Sequence, residues 1–327
     1  MKDWLNQKLE YLRNRDNRKV VTLNIVKVSA LVVCFGVLAI FRMGMEEPSV
    51  LLAKSNGVSE EDVLGVFYRK PNLVPTAKLD IPQPEQYVSS VMVMDADTFT
   101  VLYEHNADEQ RPMASTTKIV TALVALREFS PTRKIQIGIE DVAVGGSSMF
   151  LVPGEEILLQ DLIKGLLIPS GNDVALTLSN EFEMYGMDIV EEMNDYAAAL
   201  GLKNTHFTNT SGLDDEGHFS SARDLAMIAS YAIKDFTIRS AVGVSEDYVF
   251  SIDGVHGHYL KSTNELLNVV NGVDGIKTGY TQSAGQCLVA SVIRDGHRII
   301  TVVLNSPDRF YETEQLIEWV FENYEWR

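Results

Sequence analysis

The sequence has 327 residues, of which 46% are hydrophobic, and its formal net charge is -17 at pH 7. Eight basic and three acidic side chains lie in residues 1–45, which leaves 20 basic and 42 acidic side chains in residues 46–327. This acidity excludes nucleic acid as a partner, and the hydrophobic content excludes a wholly disordered chain. With two cysteines, and six histidines at no metal-binding spacing, neither a disulfide scaffold nor a metal site is expected.

The amino-terminal segment has the pattern of a membrane-spanning helix. Residues 28–41 contain no charge, and residues 20–41 contain only Lys27. A helix needs about 20 mostly apolar residues to cross a bilayer, and a lysine near its end can reach the interface. Residues 1–19 are basic, so the positive-inside rule places this tail in the cytoplasm and the rest of the chain outside. We therefore expect a single-pass signal anchor over residues 20–45 in the cell membrane.

Two other interpretations of this segment stay open. A cleaved signal peptide is an alternative, although the segment before the apolar core is long and no A-x-A cleavage site follows Phe41. A buried core helix is the second, and the asymmetry of the flanking charges argues against it. Cys34 falls inside the predicted span, so it cannot pair with Cys287, and the outer region has one free thiol.

Residues 46–85 are expected to form a stalk, because prolines at positions 48, 71, 75, 82 and 84 interrupt any regular pattern. The pattern then changes to that of a folded domain over residues 86–327. Alternation and turn signals predict strands at 87–95, 100–104, 247–252, 285–293 and 298–304. Apolar periodicity predicts helices at 115–128, 159–168, 172–184, 187–200, 221–234 and 311–324. Strands at both ends around a helical block predict an α+β domain whose terminal strands share one sheet.

Ser115 and Lys118 form the only S-x-x-K pattern in the sequence. On a helix these positions share one face, with Cβ atoms about 5–6 Å apart. A serine hydroxyl is a weak nucleophile until a base takes its proton, and lysine can be that base if burial or a neighbouring cation lowers its pKa. A serine at a helix start also has the helix dipole directed at a developing oxyanion. Alone, the pair is more typical of a capping serine and a surface lysine.

Two further motifs follow in the chain. Ser170-Gly171-Asn172 is an S-x-N pattern, which Ser262-Thr263-Asn264 also matches, and either could be a turn with a helix cap. Lys277-Thr278-Gly279 is the only K-T-G and precedes an apolar strand. Its lysine supplies positive field, its threonine a hydroxyl donor, and its glycine clearance for a ligand against the strand backbone.

Together, S-x-x-K, S-x-N and K-T-G in this order are the signature of penicillin-binding proteins and class A β-lactamases. The surrounding sequences RPMASTTKIVTALVAL, LLIPSGNDVAL, THFTNTSGL and VDGIKTGYTQSAGQCLVAS resemble the low-molecular-mass penicillin-binding proteins. These are the serine-type D-alanyl-D-alanine carboxypeptidases of peptidase family S11. The resemblance covers residues from about 86 to 327 and selects Ser170 and Asn172 as the S-x-N motif. It implies a β-lactamase/transpeptidase-like fold, with an antiparallel sheet flanked by helices and a helical subregion.

The resemblance implies the following roles. Ser115 attacks the carbonyl between the two D-alanines that end the peptidoglycan stem peptide, Lys118 is its general base, and Ser170 relays a proton to the leaving D-alanine. Asn172 holds the substrate amide, and Lys277 and Thr278 receive the terminal carboxylate. The oxyanion hole consists of the N–H groups of Ser115 and Tyr280, the residue after Gly279. Neither a metal nor an organic cofactor is expected, and β-lactam antibiotics should acylate the same serine.

Some positions depart from the family pattern or carry weaker expectations. Tyr280 stands where the family often has histidine, so substrate preference could differ. Arg309 matches an arginine thought to help bind the substrate carboxylate, and a solvated helix start explains it equally well. His218 and Asp224 match family positions and are interpreted as structural, and Cys287 as a core residue. Many members attach to the membrane through a carboxy-terminal helix, and here the amino-terminal anchor is expected to replace it.

Three functions remain to be compared. The first is a membrane-anchored carboxypeptidase that trims peptidoglycan. The second is another acyl-serine enzyme of the same fold, a transpeptidase or a β-lactamase. The sequence contains no E-x-x-L-N element, which carries the deacylating glutamate of class A β-lactamases. The third is a catalytically silent wall-binding protein, which three intact motifs argue against.

Overall fold

The computed structural model describes residues 73–79, 81–84 and 88–327. Its strands are β1 (Pro75–Ala77), β2 (Ser90–Asp95), β3 (Val101–His105), β4 (Lys134–Gln136), β5 (Glu156–Leu158), β6 (Glu246–Phe250), β7 (Gly257–Lys261), β8 (Val273–Thr281), β9 (Gly285–Arg294), β10 (His297–Ser306) and β11 (Tyr324–Trp326). Its α-helices are α1 (Lys118–Glu128), α2 (Leu159–Leu167), α3 (Asn172–Glu183), α4 (Ile189–Ala199), α5 (Ala222–Ala232), α6 (Phe236–Val242) and α7 (Arg309–Asn323).

A five-stranded antiparallel sheet in the order β3-β2-β10-β9-β8 forms the centre of the fold. Strands from the beginning and the end of the domain therefore share one sheet, as the sequence pattern predicts. Strand β8, which carries the K-T-G motif, is an edge strand of this sheet. One side of β8 is consequently free of strand pairing and faces the segment that contains Ser115.

The sheet is covered on both faces because its strands alternate between two apolar sets. Met92 and Met94 of β2 belong to the larger core cluster, together with the buried faces of α1 to α6. Val91 and Val93 belong to a second cluster with Leu316 and other residues of α7. The helical block between β3 and β6 therefore packs on one face, and the final helix packs on the other.

Asp and Ser residues cap the first turns of four helices, one of which, α6, was not predicted from the sequence. The side chains of Asp188, Ser221, Asp235 and Asp308 each accept hydrogen bonds from backbone N–H groups in the first turn of the helix that follows. These caps satisfy donors that have no partner inside the helix. Helix α1 is different: a 3-10 helix, Ala114–Thr117, precedes it, so Ser115 lies before the α-helix and not within it as predicted.

The sequence predicts a stalk over residues 46–85, and the described part of that stretch differs from this expectation. Strand β1 pairs with β11 at the end of the chain. The indole of Trp319 donates a hydrogen bond to the Pro82 carbonyl at 2.8 Å. Residues 75–77 and Pro82 therefore contact the folded domain. The pairing was not predicted because a three-residue strand leaves almost no alternation in the sequence.

The predicted cytoplasmic tail and signal anchor, residues 1–45, lie outside the described residues. Among the helices that the structure does describe, none combines the length and apolar character needed to cross a bilayer.

Candidate active site

Ser115 lies in the 3-10 helix that leads into α1. Two hydroxyl groups hold this turn in shape: Thr116 Oγ1 donates to the Met113 carbonyl at 2.7 Å, and Thr117 Oγ1 donates to the Ala114 carbonyl at 2.8 Å. Ala114 has φ +49°, a left-handed conformation that is unusual for a residue with a side chain. The strained turn presents Ser115, which is partly exposed, at the start of the helix.

Lys118 is fully buried, and its amine has three oxygen neighbours. Lys118 Nζ lies 3.0 Å from Ser115 Oγ, 2.8 Å from Asn172 Oδ1 and 2.6 Å from the Ser211 carbonyl oxygen. The amide and carbonyl oxygens can only accept hydrogen bonds, so they take the two N–H groups of a neutral amine. The lone pair of that amine is then left for the Ser115 hydroxyl proton.

The electrostatic environment favours this neutral form. Burial lowers the pKa of Lys118 to about 7, and the nearby carboxylate of Asp173 opposes part of this shift. A sizeable fraction of the molecules therefore carries a neutral Lys118 at pH 7. The structure thus brings Ser115 and Lys118 together at a distance and in a protonation state that suit proton transfer.

The S-x-N motif lies at the start of α3. Ser170 has φ +68° and is buried, and in the described part of the chain its hydroxyl makes no hydrogen bond. Asn172 is the first residue of the helix, and its Nδ2 donates to the Gly145 carbonyl at 2.9 Å while its Oδ1 accepts from Lys118. Both ends of the Asn172 amide are therefore occupied by protein groups, and one of them orients the lysine.

The neighbouring carboxylate, Asp173, fixes the loop beside the motif. It accepts hydrogen bonds from the backbone N–H groups of Met149 and Leu151 and from the Ser148 hydroxyl, at 3.0, 3.2 and 2.6 Å. Asp173 was not predicted as a site residue from the sequence. The buried carboxylate, which also accepts from the Val174 N–H, positions this loop and places a negative charge near Lys118.

The K-T-G motif lies on β8, opposite the turn that carries Ser115. A Cβ added to Gly279 would lie 3.0 Å from the Met113 carbonyl oxygen and 3.1 Å from Ser115 N. Glycine is therefore needed so that the strand can approach the protein backbone. The clearance for a ligand that the sequence suggests at this glycine stays a prediction.

Lys277 and Thr278 are both buried on this strand. Lys277 Nζ donates to the Thr278 carbonyl at 2.9 Å, and the hydroxyls of Thr278 and Thr263 are hydrogen-bonded. Burial, and then the positive charges of Lys118 and Arg309, hold the pKa of Lys277 well below its usual range. An anion that reached this cluster would relieve the repulsion between its three basic groups.

Arg309 is the first residue of α7, and its side chain contacts β8, the strand that carries the K-T-G motif. Its Nη1 donates to the Gly279 carbonyl at 2.9 Å, and its Nε is buried without a partner among the described residues. Burial lowers the pKa of Arg309. Tyr280, the next residue of β8, has a side chain 67% exposed to solvent. The structure therefore places Arg309 at the strand backbone and the Tyr280 ring at the surface.

The site contains groups that the motifs alone could not reveal. The Ser211 carbonyl is one of them, because a backbone acceptor leaves no mark on residue type. It belongs to the THFTNTSGL segment, whose resemblance to the family was the only available signal. In the part of the chain that the structure describes, no group of three or more His, Cys, Asp or Glu side chains is arranged to hold a metal ion.

Comparisons with known proteins agree with this arrangement. Residues 78–308 match the peptidase S11 family, D-alanyl-D-alanine carboxypeptidase. The chain is 36% identical over 244 residues to D-alanyl-D-alanine carboxypeptidase DacF of Bacillus subtilis, covering 72% of this chain and 62% of that protein. It is also 36% identical over 257 residues to DacA of Escherichia coli K12, covering 74% of this chain and 62% of the relative. The matched region thus spans less than two thirds of these curated relatives.

A solved structure supports the fold directly. The DD-transpeptidase of Streptomyces K15 superimposes with a TM-score of 0.70 at 31% identity, covering 74% of this chain and 100% of that chain. The predicted α+β, β-lactamase/transpeptidase-like fold of the described domain is confirmed. The family match extends over more than half of the sequence and includes all three motifs. The chain therefore belongs to the peptidase S11 family of D-alanyl-D-alanine carboxypeptidases.

Proposed function

We propose that this protein is a membrane-anchored serine carboxypeptidase that removes the terminal D-alanine from peptidoglycan stem peptides. The observation that carries the proposal is the buried Lys118 amine, 3.0 Å from Ser115 Oγ and with a pKa of about 7. A lysine held in this way is a base for the serine hydroxyl, which is the requirement of an acyl-serine enzyme. The names of the curated relatives give the substrate class.

The first half of the reaction acylates the serine. Lys118 takes the Ser115 hydroxyl proton as Oγ attacks the carbonyl between the two D-alanines. The N–H groups of Ser115 and Tyr280 stabilise the oxyanion that forms, and Lys277 and Thr278 receive the terminal carboxylate. The C–N bond then breaks, the proton reaches the leaving amine through Ser170, and D-alanine departs.

The second half releases the shortened peptide. Water attacks the ester on Ser115, Lys118 accepts a proton from that water, and the proton returns to Ser115 Oγ as the ester bond breaks. Asn172 keeps the Lys118 amine oriented through its Oδ1. Asn172 Nδ2 has two N–H groups and uses one on the Gly145 carbonyl, so the other is left for the predicted contact with the substrate. Penicillin would acylate Ser115 in the same way, because its strained amide occupies the place of the scissile bond.

The proposed location follows from the amino-terminal sequence. An apolar stretch of spanning length follows a basic tail, which favours a single-pass anchor with its amino terminus in the cytoplasm. The catalytic domain would then lie on the outer side, where peptidoglycan is found. Protease protection of a tag at residue 1 in sealed cells, with cleavage of a tag at residue 327, would test this orientation.

A second candidate function is transpeptidation by the same acyl-enzyme. The likeness to the Streptomyces K15 DD-transpeptidase favours it, because that protein shares the fold at 31% identity. The two functions differ only in the acceptor, which is water in one and the amine of a second peptide in the other. A catalytically silent wall-binding protein would not need a lysine with a depressed pKa beside Ser115.

Release of D-alanine from a pentapeptide ending in D-Ala-D-Ala tests the proposal, with the full chain purified in detergent and Ser115→Ala as the matched control. Release by the wild type alone supports the carboxypeptidase and its nucleophile together. A covalent penicillin adduct without D-alanine release, restored when an acceptor amine is added, would favour the transpeptidase. Neither release nor adduct would reject both.

A further inference from the structure

A series of hydrogen bonds joins a buried histidine to the peptide group that precedes Ser115. The backbone N–H of Thr208 donates to His218 Nδ1 at 3.0 Å. His218 Nε2 lies 2.8 Å from Thr117 Oγ1, and Thr117 Oγ1 donates to the Ala114 carbonyl at 2.8 Å. His218 and Thr117 are both buried, so the series is shielded from water. The mechanism proposed above uses neither side chain.

The direction of every bond in this series is fixed. A backbone N–H can only donate, so Nδ1 of His218 must be the unprotonated nitrogen and the neutral ring carries its proton on Nε2. That N–H donates a hydrogen bond to the Thr117 hydroxyl. The hydroxyl has one proton of its own, with which it donates a hydrogen bond to the Ala114 carbonyl. Burial lowers the pKa of His218 to about 4. The charges of Asp215 and Asp214 raise this pKa, and the charge of His206 lowers it further. A pKa of about 4 agrees with a neutral ring at pH 7.

The last acceptor in the series is the Ala114 carbonyl. It belongs to the same peptide group as the Ser115 N–H, which is proposed to stabilise the oxyanion. The Ala114 carbonyl and the Ser115 N–H belong to one planar peptide unit, and in a trans peptide they point in opposite directions. Fixing the carbonyl oxygen therefore fixes the direction of the Ser115 N–H. The first N–H groups of a helix have no partner within the helix, which leaves this one available.

The peptide unit needs such support because its backbone is strained. Ala114 has φ +49°, a conformation that costs free energy unless its surroundings hold it in place. Gly212 packs directly against the same carbonyl: it has φ +82°, and a Cβ there would lie 1.9 Å from the Ala114 oxygen. The 208–218 segment thus holds the Ala114 carbonyl both by contact and by hydrogen bonds.

We propose that His218 is a positioning residue which, through Thr117 and the Ala114 carbonyl, aims the Ser115 N–H at the oxyanion. The inference rests on the proposed function and goes beyond the structural role expected for His218 from the sequence. It predicts a defect that is confined to the transition state, because the oxyanion exists only there. Binding of the unreacted substrate should be unaffected.

Thr117→Val tests the proposal, since it removes the hydroxyl and keeps the branched shape, and Thr117→Ser is its conservative partner. Removal of an oxyanion donor costs about 10²–10³-fold in rate, and a misdirected donor costs part of that, so we expect penicillin acylation to fall about tenfold in Thr117→Val. Affinity for a boronic acid analogue of the peptide, whose tetrahedral adduct places an oxygen at the oxyanion position, should fall by a similar factor. Thr117→Ser should retain most of both.

Two controls separate this role from a general loss of structure. His258→Gln alters another buried histidine, which contacts Glu155 at 2.9 Å, and should leave acylation unchanged. Thermal unfolding of each variant reports any loss of fold. Nitrogen NMR of histidine-labelled full-length protein in detergent, assigned with His218→Gln, should show His218 protonated on Nε2 alone.

The proposal is overturned if Thr117→Val acylates and binds the boronic acid as the wild type does. It is equally overturned if Thr117→Ser loses as much as Thr117→Val, or if Nδ1 of His218 is the protonated nitrogen. A wild type that neither forms the penicillin adduct nor releases D-alanine refutes the proposed function, and the positioning role falls with it. The nitrogen spectrum would then still report separately on the hydrogen-bond series.

Discussion

Gly279 of β8 and Ser115 of the 3-10 turn approach each other so closely that a Cβ on Gly279 would lie 3.1 Å from Ser115 N. This contact joins the edge strand of the sheet to the backbone of the nucleophile. The two proposed oxyanion donors, at Ser115 and Tyr280, lie on the two segments that meet here. The spacing between those donors is therefore set by a glycine and not by a side chain.

Gly279→Ala should separate the two segments. The added carbon meets the Met113 carbonyl at 3.0 Å, and backbone cannot move aside as a flexible side chain can. We expect acylation by penicillin to fall at least tenfold, and the free energy of unfolding to fall by about 1–3 kcal/mol, as for other overpacked sites. Stopped-flow acylation and chemical denaturation measure the two effects.

Gly257→Ala is the matched control for that variant. Gly257 lies on β7, and a Cβ there meets only the exposed ring of Phe250, at 2.9 Å. That ring can rotate away, so acylation should stay at the wild-type rate. Equal losses in both variants would show that the Gly279 contact has no special connection with the site.

Lys118→Ala should remove the base and keep the binding site. A positioned base contributes about 10²–10⁴-fold, so acylation should slow by that factor while the dissociation constant of the unreacted penicillin changes little. Lys203→Ala, at an exposed position, is the control and should acylate normally. A rate in Lys118→Ala equal to that of the wild type would remove this lysine from the mechanism.

The pH dependence of acylation should report the titration of Lys118. The amine accepts the Ser115 proton only when it is neutral, and its pKa is about 7. The rate should therefore rise as pH increases through about 7 and fall with a slope of one proton below it. A profile of the second-order rate constant from pH 5 to 9 gives this value for the free enzyme. A midpoint near the ordinary lysine value would contradict the proposed state.

Cys287 should be inert in the folded protein. It is fully buried on β9, and burial raises the pKa of its thiol to about 11, so the reactive thiolate is scarce at neutral pH. In a Cys34→Ser background, iodoacetamide should label Cys287 only after denaturation and should leave D-alanine release intact. Rapid labelling under native conditions would show that this strand opens readily.

Much of the site could be predicted from the sequence because its side chains belong to short motifs. Ser115 and Lys118 are three residues apart, so helical geometry alone brings them together, and only the extent of the first 3-10 turn was missed. The distance from Lys118 to Asn172 could not be derived in this way, since 54 positions separate them and the contact depends on how α1 packs on α3. Resemblance to a family placed both residues in one site but did not predict their contact.

Other parts of the site left no local signal. The Ser211 carbonyl and the Thr208 N–H are backbone groups, and any residue type provides them. The contact of Gly279 with the Ser115 turn could not be predicted, because a glycine in a strand indicates a close approach without saying what approaches. Strands β4 and β5, which form an antiparallel pair, have three residues each and are too short for a recognisable alternation.

The pairing of β1 with β11 closes the described chain into a ring. Val74 N donates to the Arg327 carbonyl at 3.1 Å, so the segments that contain these two residues lie side by side. Strands β2 and β10 already hold the two ends of the domain together, so the β1–β11 pair closes only the short segments that lie beyond the central sheet. Because the β1–β11 seam has only three residue pairs, we expect it to open at a lower free energy than the central sheet and the Ser115 turn.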